Sequence, residues 1–531
     1  MTRRSALKLS MASLSASFLS FSGCRSDNTV RHILPSVTPT QFSISVSLKR
    51  SATELALEVD GRNVGGRQMD SKGRFWSFQI DGLNPNTEYQ LRLNNNENLT
   101  EVTWPLRTFP NPQDQPENFH LLLYTCAGGA DGFGLGGRQF FKPHTFRQKL
   151  FDEAIAKDPH AAVALGDQIY WDLRGEELPP VGRRSKLIKV LAGWYLRVKY
   201  GSFDRTKELI GTENETVLTR IGDEQIANLY GTRFRSIPMF FVSDDHDYFE
   251  NDDAEEDLVT FPPDQFSKAA HDAIAALYYP PLPAGPSGER DHAFGSIRYG
   301  QLFEAPLFDC AGYLTLDGED AGLVPPHVEE WLINRALHSP ARHFAYIPSH
   351  PFGWTAGKWR EWYPDMLAPP GFTGVVSNSL MDENVSEVMT TEAQKYLWPE
   401  GWWIQHQRLL SAIAGRDANR MILSGDIHAQ GAVSIHRSGQ FHLEDSPILS
   451  ALVGPVGTSD ATWPSAARGV VASEPGWLET TEQCPTKEVN GFSMLYVEHS
   501  SARLELFDCG GYDRSLGEDG SVQSVISLDI S

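Results

Sequence analysis

Short apolar runs without polar interruption recur along the chain, at residues 121–124, 161–166, 239–242, 344–347 and 421–423. Runs of this length that lack alternation are typical of strands buried on both faces of a sheet. Between them, apolar residues at helical spacing predict helices, for example at Phe146, Leu150 and Ala154. Two further helices are predicted, one starting at Pro325 and one over residues 404–413. This alternation predicts an α/β body.

Residues 42–109 have a different pattern, in which apolar and polar residues alternate over short stretches bounded by turn residues. Such stretches predict β strands that are buried on one face. The segment 82–93 resembles the strand entry of fibronectin type III domains, with Tyr89 at the tyrosine-corner position. We therefore predict a fibronectin-III-like β-sandwich over residues 38–112, preceded by a linker over residues 25–37.

The first 24 residues have the pattern of an export signal. Arg3 and Arg4 are followed by an apolar stretch over residues 7–21, and a lipobox-like sequence ends at Cys24. This segment is too short for a good membrane span. It resembles a twin-arginine signal leading into a lipoprotein cleavage site, which implies a periplasmic or cell-envelope protein with a lipid on Cys24. An ordinary secretory signal with a chance cysteine is the alternative.

The charge of the chain narrows the classes of function. With 46 Lys and Arg against 68 Asp and Glu, the formal net charge is −22. This charge argues against a nucleic-acid binder, because such proteins usually carry a basic surface. An acidic protein also repels anionic substrates unless bound cations reverse the local field. If the substrate is a phosphate ester, the charge therefore favours a metalloenzyme.

Each apolar run is followed by side chains that bind metal ions, in the order Cys126, Asp167 with Tyr170, Asp244 with Asp245 and His246, His350, and Asp426 with His428. Sites in open α/β sheets lie at the carboxyl ends of the strands, so we expect these side chains to converge. The three carboxylates of residues 244–247 would repel one another unless cations lie among them. This repeated pattern predicts a polynuclear metal site.

The ligand types suggest separate roles. The Asp167 carboxylate has two oxygens and can bridge two cations, and a Tyr170 phenolate suits Fe(III). Asp426 and His428 are alternate residues, which would face one side of an extended segment. A bound metal would deprotonate Cys126 outright. The other cysteines, Cys310, Cys484 and Cys509, are expected as buried free thiols, with a disulfide as the alternative.

The Gly-rich segment 128–137 offers another hypothesis. Its backbone N–H groups could bind phosphate, but the segment lacks the Lys-Ser/Thr ending of a P-loop. We therefore favour a flexible turn over a phosphate site here.

Together, the motifs at residues 125–126, 166–170, 244–247 with Asn251, and 424–428 resemble the alkaline phosphatase D (PhoD-like) family of metallophosphatases. The resemblance covers most of the chain. It implies an α/β fold of four layers over residues 118–531, with two mixed sheets flanked by helices. It also implies a site that contains Fe(III) and calcium ions.

The resemblance implies a role for each matching residue. Iron would be bound by Cys126, Asp167, Tyr170 and His428, with Asp167 bridging; calcium would be bound by Asp245, Asn251 and Asp426. Besides Asp245, the catalytic candidates are His350 and His246, which would contact the phosphoryl oxygens or protonate the leaving group. An orienting role is the alternative for both histidines, and it is the role expected of Asp244 and Asp247.

Three positions depart from the family pattern. Ser243 stands where the family commonly has an aromatic residue, and His350 stands where many members have Gln. Residues 308–311 lack the arginine of a Leu-Asp-Thr-Arg motif. These departures bear on the substrate preference and on the identity of the metals.

The expected function is that of an exported phosphatase, a phosphomonoesterase or phosphodiesterase acting on a small phosphate ester. A metal-bound hydroxide would attack phosphorus, since metal binding lowers the pKa of water from about 15.7 to about 7. The alternatives are a two-metal phosphodiesterase or nucleotidase that uses Zn²⁺ or Mn²⁺, and a non-catalytic surface lipoprotein that binds through the β-sandwich. The large ligand set argues against the last of these.

Overall fold

The structure is a computed structural model, and it describes residues 29–94, 102–135, 138–171, 173, 193–249, 254–255, 258–259, 262–315, 318–349, 351–352, 355–356, 400–416, 419–443, 447–458, 470–471, 478–487, 489–509 and 523–530. The export signal with Cys24, and the candidate residues Asn251 and His350, lie outside the described residues. Within the described ranges, no helix combines the length and the apolar character that crossing a bilayer requires.

The leading β domain contains strands β1 to β8, with the bounds Val30–Val37, Gln41–Leu48, Ala56–Val59, Arg62–Gly65, Arg67–Gln68, Phe75–Asp81, Glu88–Asn94 and Val102–Arg107. They form two sheets, in the orders β1-β2-β6-β5 and β4-β3-β7-β8. The Tyr89 hydroxyl accepts a hydrogen bond from the Asn84 N–H at 2.7 Å, as a tyrosine corner requires. The predicted linker is wrong at its end, because residues 30–37 pair with β2 as an antiparallel strand.

The first central sheet has six strands, β9 (Asn118–Thr125), β12 (Ala161–Leu165), β13 (Met239–Val242), β26 (Gly491–Glu498), β27 (Ala502–Asp508) and β28 (Gln523–Ile530). Their order is β13-β12-β9-β26-β27-β28. Strands β9, β12 and β13 are parallel, and β26 runs antiparallel to β9. Every residue of β12 and β13 is buried, as their uninterrupted apolar sequences predict.

The second central sheet contains β16 (Phe294–Tyr299), β17 (Phe303–Phe308), β18 (His343–Pro348), β20 (Asn419–Ser424), β21 (Gln430–Ser438), β22 (Phe441–His442), β23 (Ile448–Val453) and β25 (Leu478–Lys487). Their order is β16-β17-β18-β20-β23-β21-β22, with β25 paired to β21. Strands β17, β18, β20 and β23 are parallel. The described residues also form three short two-stranded pairs apart from the central sheets, β10 (Gly134–Leu135) with β11 (Arg138–Gln139), β14 (Ala254–Glu255) with β15 (Leu258–Val259), and β19 (Thr355–Ala356) with β24 (Val470–Val471).

The longer helices are α1 (His144–Ile155), α2 (Glu213–Gly222), α3 (Gln265–Tyr278), α4 (Pro326–His338) and α5 (Glu400–Ala414). A π-helical turn, Asp223–Ala227, and a short helical segment, Asn228–Tyr230, continue α2, and 3₁₀ turns cover Asp245–Tyr248 and Gly318–Asp320. Helices α1 to α3 pack on the first sheet, and α4 and α5 pack on the second.

The two sheets pack face to face through alternate strand residues, such as Leu121 and Val163 of the first sheet and Ala345 and Met421 of the second. The intervening residues, such as Leu122 and Ala162, face the helices instead. The layers therefore follow the order helices, sheet, sheet, helices. The predicted α/β class with four layers is confirmed.

Among the described residues, Cys126, Cys310, Cys484 and Cys509 form no disulfide. Cys310 follows β17 in the second sheet, and Cys509 follows β27 in the first. The expectation of buried cysteines outside a disulfide is confirmed for Cys310 and Cys484, whereas Cys509 is only half-buried.

Candidate metal centre

The carboxyl ends of β9, β12, β13 and β20 meet at one edge of the two packed sheets, and a candidate ligand follows each of them. Three groups of side chains could each hold a metal ion, because within each group one ligand atom per residue lies within 4.8 Å of the others. The first group is Cys126, Asp167 and His428, and the second is Asp167, Asp245 and His246. The third group is Asp167, Asp244, Asp245 and Asp426. All of these residues are buried. Asp167 belongs to all three groups, so it is the geometric centre of the site.

A thiol, a phenol and an imidazole surround one oxygen of Asp167. Its Oδ2 lies 3.3 Å from the Cys126 Sγ and 2.8 Å from the Tyr170 hydroxyl. The same hydroxyl lies 3.1 Å from Nε2 of His428. Sulfur, phenolic oxygen, imidazole nitrogen and carboxylate oxygen together form a donor set that suits a transition metal.

The other oxygen of Asp167 is in a different environment, without a hydrogen-bond donor from the described part of the chain. Oδ1 is buried and has no hydrogen-bond partner among the residues that the structure describes. An orphaned buried carboxylate oxygen is costly unless it contacts a cation. The residues of the site therefore fit a carboxylate that binds a metal through both oxygens.

The remaining side of the site is strongly acidic. Asp244, Asp245 and Asp426 join Asp167 in the group of four carboxylates. Burial, and the neighbouring Asp245, raise the pKa of Asp167 well above its ordinary value. Ionised carboxylates this close together repel one another unless cations lie among them. Asp244 was expected from the sequence to orient other residues rather than to bind metal, but one of its oxygens lies within this group.

Burial also raises the pKa values of the thiol and the phenol. It raises the pKa of Cys126 well above the ordinary value, and the nearby Asp167 adds to this shift. The pKa of Tyr170 is raised well above its ordinary value by the same two causes. A cation at the site would reverse both shifts, because it favours the ionised ligands.

The Asp247 carboxylate holds the backbone of two ligand loops. Its Oδ2 accepts hydrogen bonds from the N–H groups of Asp167 at 2.8 Å and Asp244 at 3.1 Å. Its Oδ1 accepts from Gln168 at 2.7 Å and Ile169 at 3.1 Å. Burial raises the pKa of Asp247 to about 6, and these backbone bonds oppose that shift. Asp247 thus orients the ligands that follow β12 and β13.

Several ligands have an unusual backbone conformation. Cys126, Asp167, Asp426 and His428 have φ values of 50°, 59°, 65° and 51°. This left-handed region is disfavoured for residues with a Cβ, and such strain is often found at functional sites. The expected extended conformation of residues 426–428 is therefore wrong. The His428 N–H donates to the Asp426 carbonyl at 2.7 Å in a tight turn, which directs the two side chains into different groups.

Thr125 joins the loops of both sheets. Its Oγ1 donates to the Leu165 carbonyl and accepts from the Asp426 N–H at 3.1 Å. The loop after β20 approaches so closely that a Cβ on Gly425 would lie 2.4 Å from the same Oγ1. The Thr-Cys and Ser-Gly-Asp motifs therefore belong to one contact between the sheets.

Gly166→Ala is expected to disrupt the site. Gly166 has φ +73°, and a Cβ there would lie 2.4 Å from the Asp244 Cβ, so the loop after β13 would have to move. We expect the variant to lose most of its bound metal, as measured by elemental analysis. Gly61→Ala is the control, because Gly61 has φ +83° with no atom near the added Cβ. It carries the same backbone strain without the clash, and an equal metal loss in both variants would contradict the prediction.

His246 lies beside the ligands. Its ring centroid is 4.4 Å from that of Tyr170, and its Nε2 is 3.9 Å from Oδ2 of Asp245. The side chain is 9% exposed, so it is close to the protein surface at the site. This position suits a ligand or a proton donor.

Two of the three departures from the family pattern, Ser243 and the segment 308–311, belong to a network next to the site. Ser243 Oγ lies 2.7 Å from Nε2 of His271, whose ring stacks on Tyr248 with centroids 4.1 Å apart. The Tyr248 hydroxyl in turn donates to Asp309, and burial raises the pKa of that carboxyl to about 6. These residues support the 3₁₀ turn that carries Asp245 and His246. The residues around His271 in the sequence form no motif that predicts this role.

Three backbone N–H groups in the described part of the Gly-rich segment already have partners within the protein. The N–H of Gly128 donates to the Asp167 carbonyl at 2.9 Å, and that of Gly129 donates to Oε1 of Gln225 at 2.8 Å. The Asp131 N–H donates to Oε1 of Glu224 at 2.9 Å. These three donors are engaged and are not available to phosphate, which supports the favoured turn over a phosphate site.

The chain resembles solved phosphatase structures. A structure of PhoD has 13% sequence identity and a TM-score of 0.61, over 94% of this chain and 89% of that protein. Purple acid phosphatase from yellow lupin (Lupinus luteus) seeds has 14% identity and a TM-score of 0.54, over 95% and 74% of the two chains. No model of a protein family and no curated protein matches the sequence. The resemblance to the PhoD-like metallophosphatases is thus confirmed at the level of the fold.

Proposed function

We propose that the chain is a metal-dependent phosphatase that hydrolyses small phosphate esters. The observation that carries this proposal is the position of Asp167. One of its oxygens lies close to a thiol, a phenol and an imidazole, and the residue also belongs to a buried group of acids. The fold shared with two phosphatases supports it. From the first 24 residues we further propose export and a lipid on Cys24, which mass spectrometry of the mature protein would test.

The ligand chemistry divides the site into two parts. Cys126, Tyr170 and His428, with Asp167, would bind Fe(III), because thiolate and phenolate are charged donors that suit a transition metal. Asp245, Asp426 and Asp244, with Asp167, would bind a hard cation such as Ca²⁺, which prefers carboxylate oxygens. Asn251 is proposed for calcium from the sequence resemblance alone, since it lies outside the described residues.

When bound, these metals would supply Lewis-acid polarisation of the phosphate and an activated water. The protein orients the residues that would bind these metals. Asp247 holds the backbone of Asp167 and Asp244, and Thr125 holds that of Asp426. Preorganised ligands need no rearrangement during the reaction, and this lowers the barrier.

His246 is proposed as the group that hydrogen-bonds the phosphoryl oxygens or gives a proton to the leaving group. It lies against Tyr170 and close to Asp245, so it faces the metal ligands. His350, proposed for the same role from the sequence, lies outside the described residues. The net charge of −22 agrees with a site in which cations, rather than surface basic residues, attract the anionic ester.

Removal of the metals is expected to abolish hydrolysis of a chromogenic phosphate ester. Incubation with a chelator should remove activity, and addition of Fe(III) and Ca²⁺ should restore it. A phenolate-to-iron absorption band in the visible range should disappear and return in parallel. A colourless protein that is active with Zn²⁺ or Mn²⁺ would favour the two-metal alternative. A metal-loaded protein without any phosphatase activity would favour the non-catalytic alternative.

A further inference from the structure

A π-helical turn lies behind the metal centre. It covers Asp223–Ala227, directly after α2, and Gln225 within it is fully buried. π-Helical turns are rare and are frequent at functional sites, where they redirect a side chain that a regular helix would point elsewhere. The mechanism proposed above does not use any residue of this turn.

The Gln225 side chain joins two ligand loops. Its Oε1 accepts a hydrogen bond from the Gly129 N–H and another from the Tyr170 N–H, both at 2.8 Å. Gly129 belongs to the loop that carries Cys126, and Tyr170 belongs to the loop that carries Asp167. One amide oxygen therefore fixes the spacing of the thiol and phenol loops.

The first of these loops is stiffened by a second buried residue. The Arg147 guanidinium, on α1, donates to the carbonyls of Ala127 at 2.8 Å, Gly128 at 2.6 Å and Gly129 at 3.0 Å. Because these carbonyls are held on one side and the Gly129 N–H on the other, the loop has little freedom. The position of Cys126 thus depends on residues that cannot themselves bind the metal.

The π-helical turn is in turn held by the β-sandwich. The Asp223 carboxylate accepts from Arg74 at 2.6 Å and from Arg31, both in the leading β domain. Its other oxygen accepts from the Tyr278 hydroxyl at 3.0 Å. Asp223 is two residues before Gln225, so the contact between the domains lies directly next to the residue that joins the ligand loops.

We propose that Gln225 is a positioning residue of the metal centre, and that the β-sandwich keeps it in place through Asp223. This inference rests on the metal centre of the proposed function. Without the Gln225 acceptor, two buried N–H groups lose their partner, and the thiol and phenol loops become free to separate. The β-sandwich then has a role in the site, although it contributes no ligand to it among the described residues.

Gln405 offers a matched comparison. It is also a buried glutamine whose Oε1 accepts two backbone N–H groups, those of Leu323 at 2.7 Å and Val324 at 3.0 Å. These residues follow the 3₁₀ turn Gly318–Asp320 and carry no ligand. The Gln405 Nε2 also donates to the Val324 carbonyl at 2.9 Å and to Glu329 at 3.0 Å, so its loss should cost at least as much stability as loss of Gln225, but only Gln225 should affect the metal.

The test compares Gln225→Met, Gln405→Met and Gln225→Glu in the full-length protein. Each is purified with its metals, exposed to EDTA for set times and analysed for the metals that remain. We expect Gln225→Met to release metal about tenfold faster or more, because two buried N–H groups lose their acceptor. Gln405→Met should release it at the wild-type rate. Gln225→Glu keeps an acceptor oxygen and should restore slow release, and Asp223→Asn should show a smaller acceleration.

Hydrogen exchange provides a readout that needs neither metal nor activity. In metal-free Gln225→Met, amide exchange should rise in residues 126–133 and 166–171, and stay unchanged there in Gln405→Met. Wild-type metal release together with wild-type exchange in Gln225→Met would overturn the inference. If the wild-type protein holds no metal, the proposed function fails, and the exchange result alone decides whether Gln225 positions the loops.

Discussion

Asp167→Ala is expected to abolish both metal retention and hydrolysis. Asp167 is common to all three ligand groups, so its loss removes a donor from each of them at once. Metal ions contribute several kcal/mol to transition-state stabilisation, and kcat/KM should therefore fall by about a thousandfold or more. Elemental analysis and a chromogenic phosphate assay on the same sample measure the two effects.

Glu304→Ala is the control for this variant. Glu304 is another fully buried carboxylate, and it accepts hydrogen bonds from Nε of Arg335 and Oγ of Ser339, both at 2.6 Å. It lies at the start of β17, whereas the site lies at the carboxyl ends of the parallel strands. Its removal should lower stability and leave the metal content unchanged. Normal turnover by folded Asp167→Ala would refute the assignment of the site.

Asp247→Asn is expected to destabilise the protein and weaken the site without removing a ligand. Each Asp247 oxygen accepts two backbone N–H groups from the loops that carry Asp167 and Asp244. Asparagine replaces one of these oxygens with a donor group, which leaves two buried N–H groups without an acceptor. At about 1–3 kcal/mol for each, the free energy of unfolding should fall by about 2–6 kcal/mol.

Urea unfolding of the metal-free protein measures this change in stability, and elemental analysis of the untreated protein measures the loss of metal. Asp309→Asn is the control, because Asp309 is equally buried and accepts from the Tyr248 hydroxyl and the Gly312 N–H at 2.9 Å. These bonds reach the turn that carries Asp245 and His246 only through the Tyr248 side chain and hold no backbone N–H of residues 167–169 or 244, so most of the metal should remain. If Asp247→Asn kept wild-type stability and metal, Asp247 would not hold the loops.

Much of the fold follows from local patterns. The five apolar runs all form strands, since uninterrupted apolar residues are stable only where both faces of a strand are covered. The helices predicted from residue 325 and over residues 404–413 form as α4 and α5. The end of the linker was wrong because β1 gains its stability by pairing with β2, and that pairing is not visible in the residues of β1 alone.

The positions of the ligands were harder to predict. Asp426 and His428 were expected on an extended segment, but positive φ values turn their side chains into different groups. Such strained conformations are stable only because surrounding contacts, such as that of Thr125 with Asp426, hold them. Gln225, Arg147 and His271 carry no recognisable motif, because each acts through residues that are distant in the sequence.

By itself, the sequence determined which side chains are candidates for binding metal, since donor type and the place after a buried strand are both local properties. Only the tertiary structure decided that the ligands come from two sheets packed face to face rather than from one. It also decided that Asp167 lies at their common point and that the β-sandwich supports the turn behind them. These features depend on contacts across the packed sheets and between the domains, and no pattern of neighbouring residues encodes such contacts.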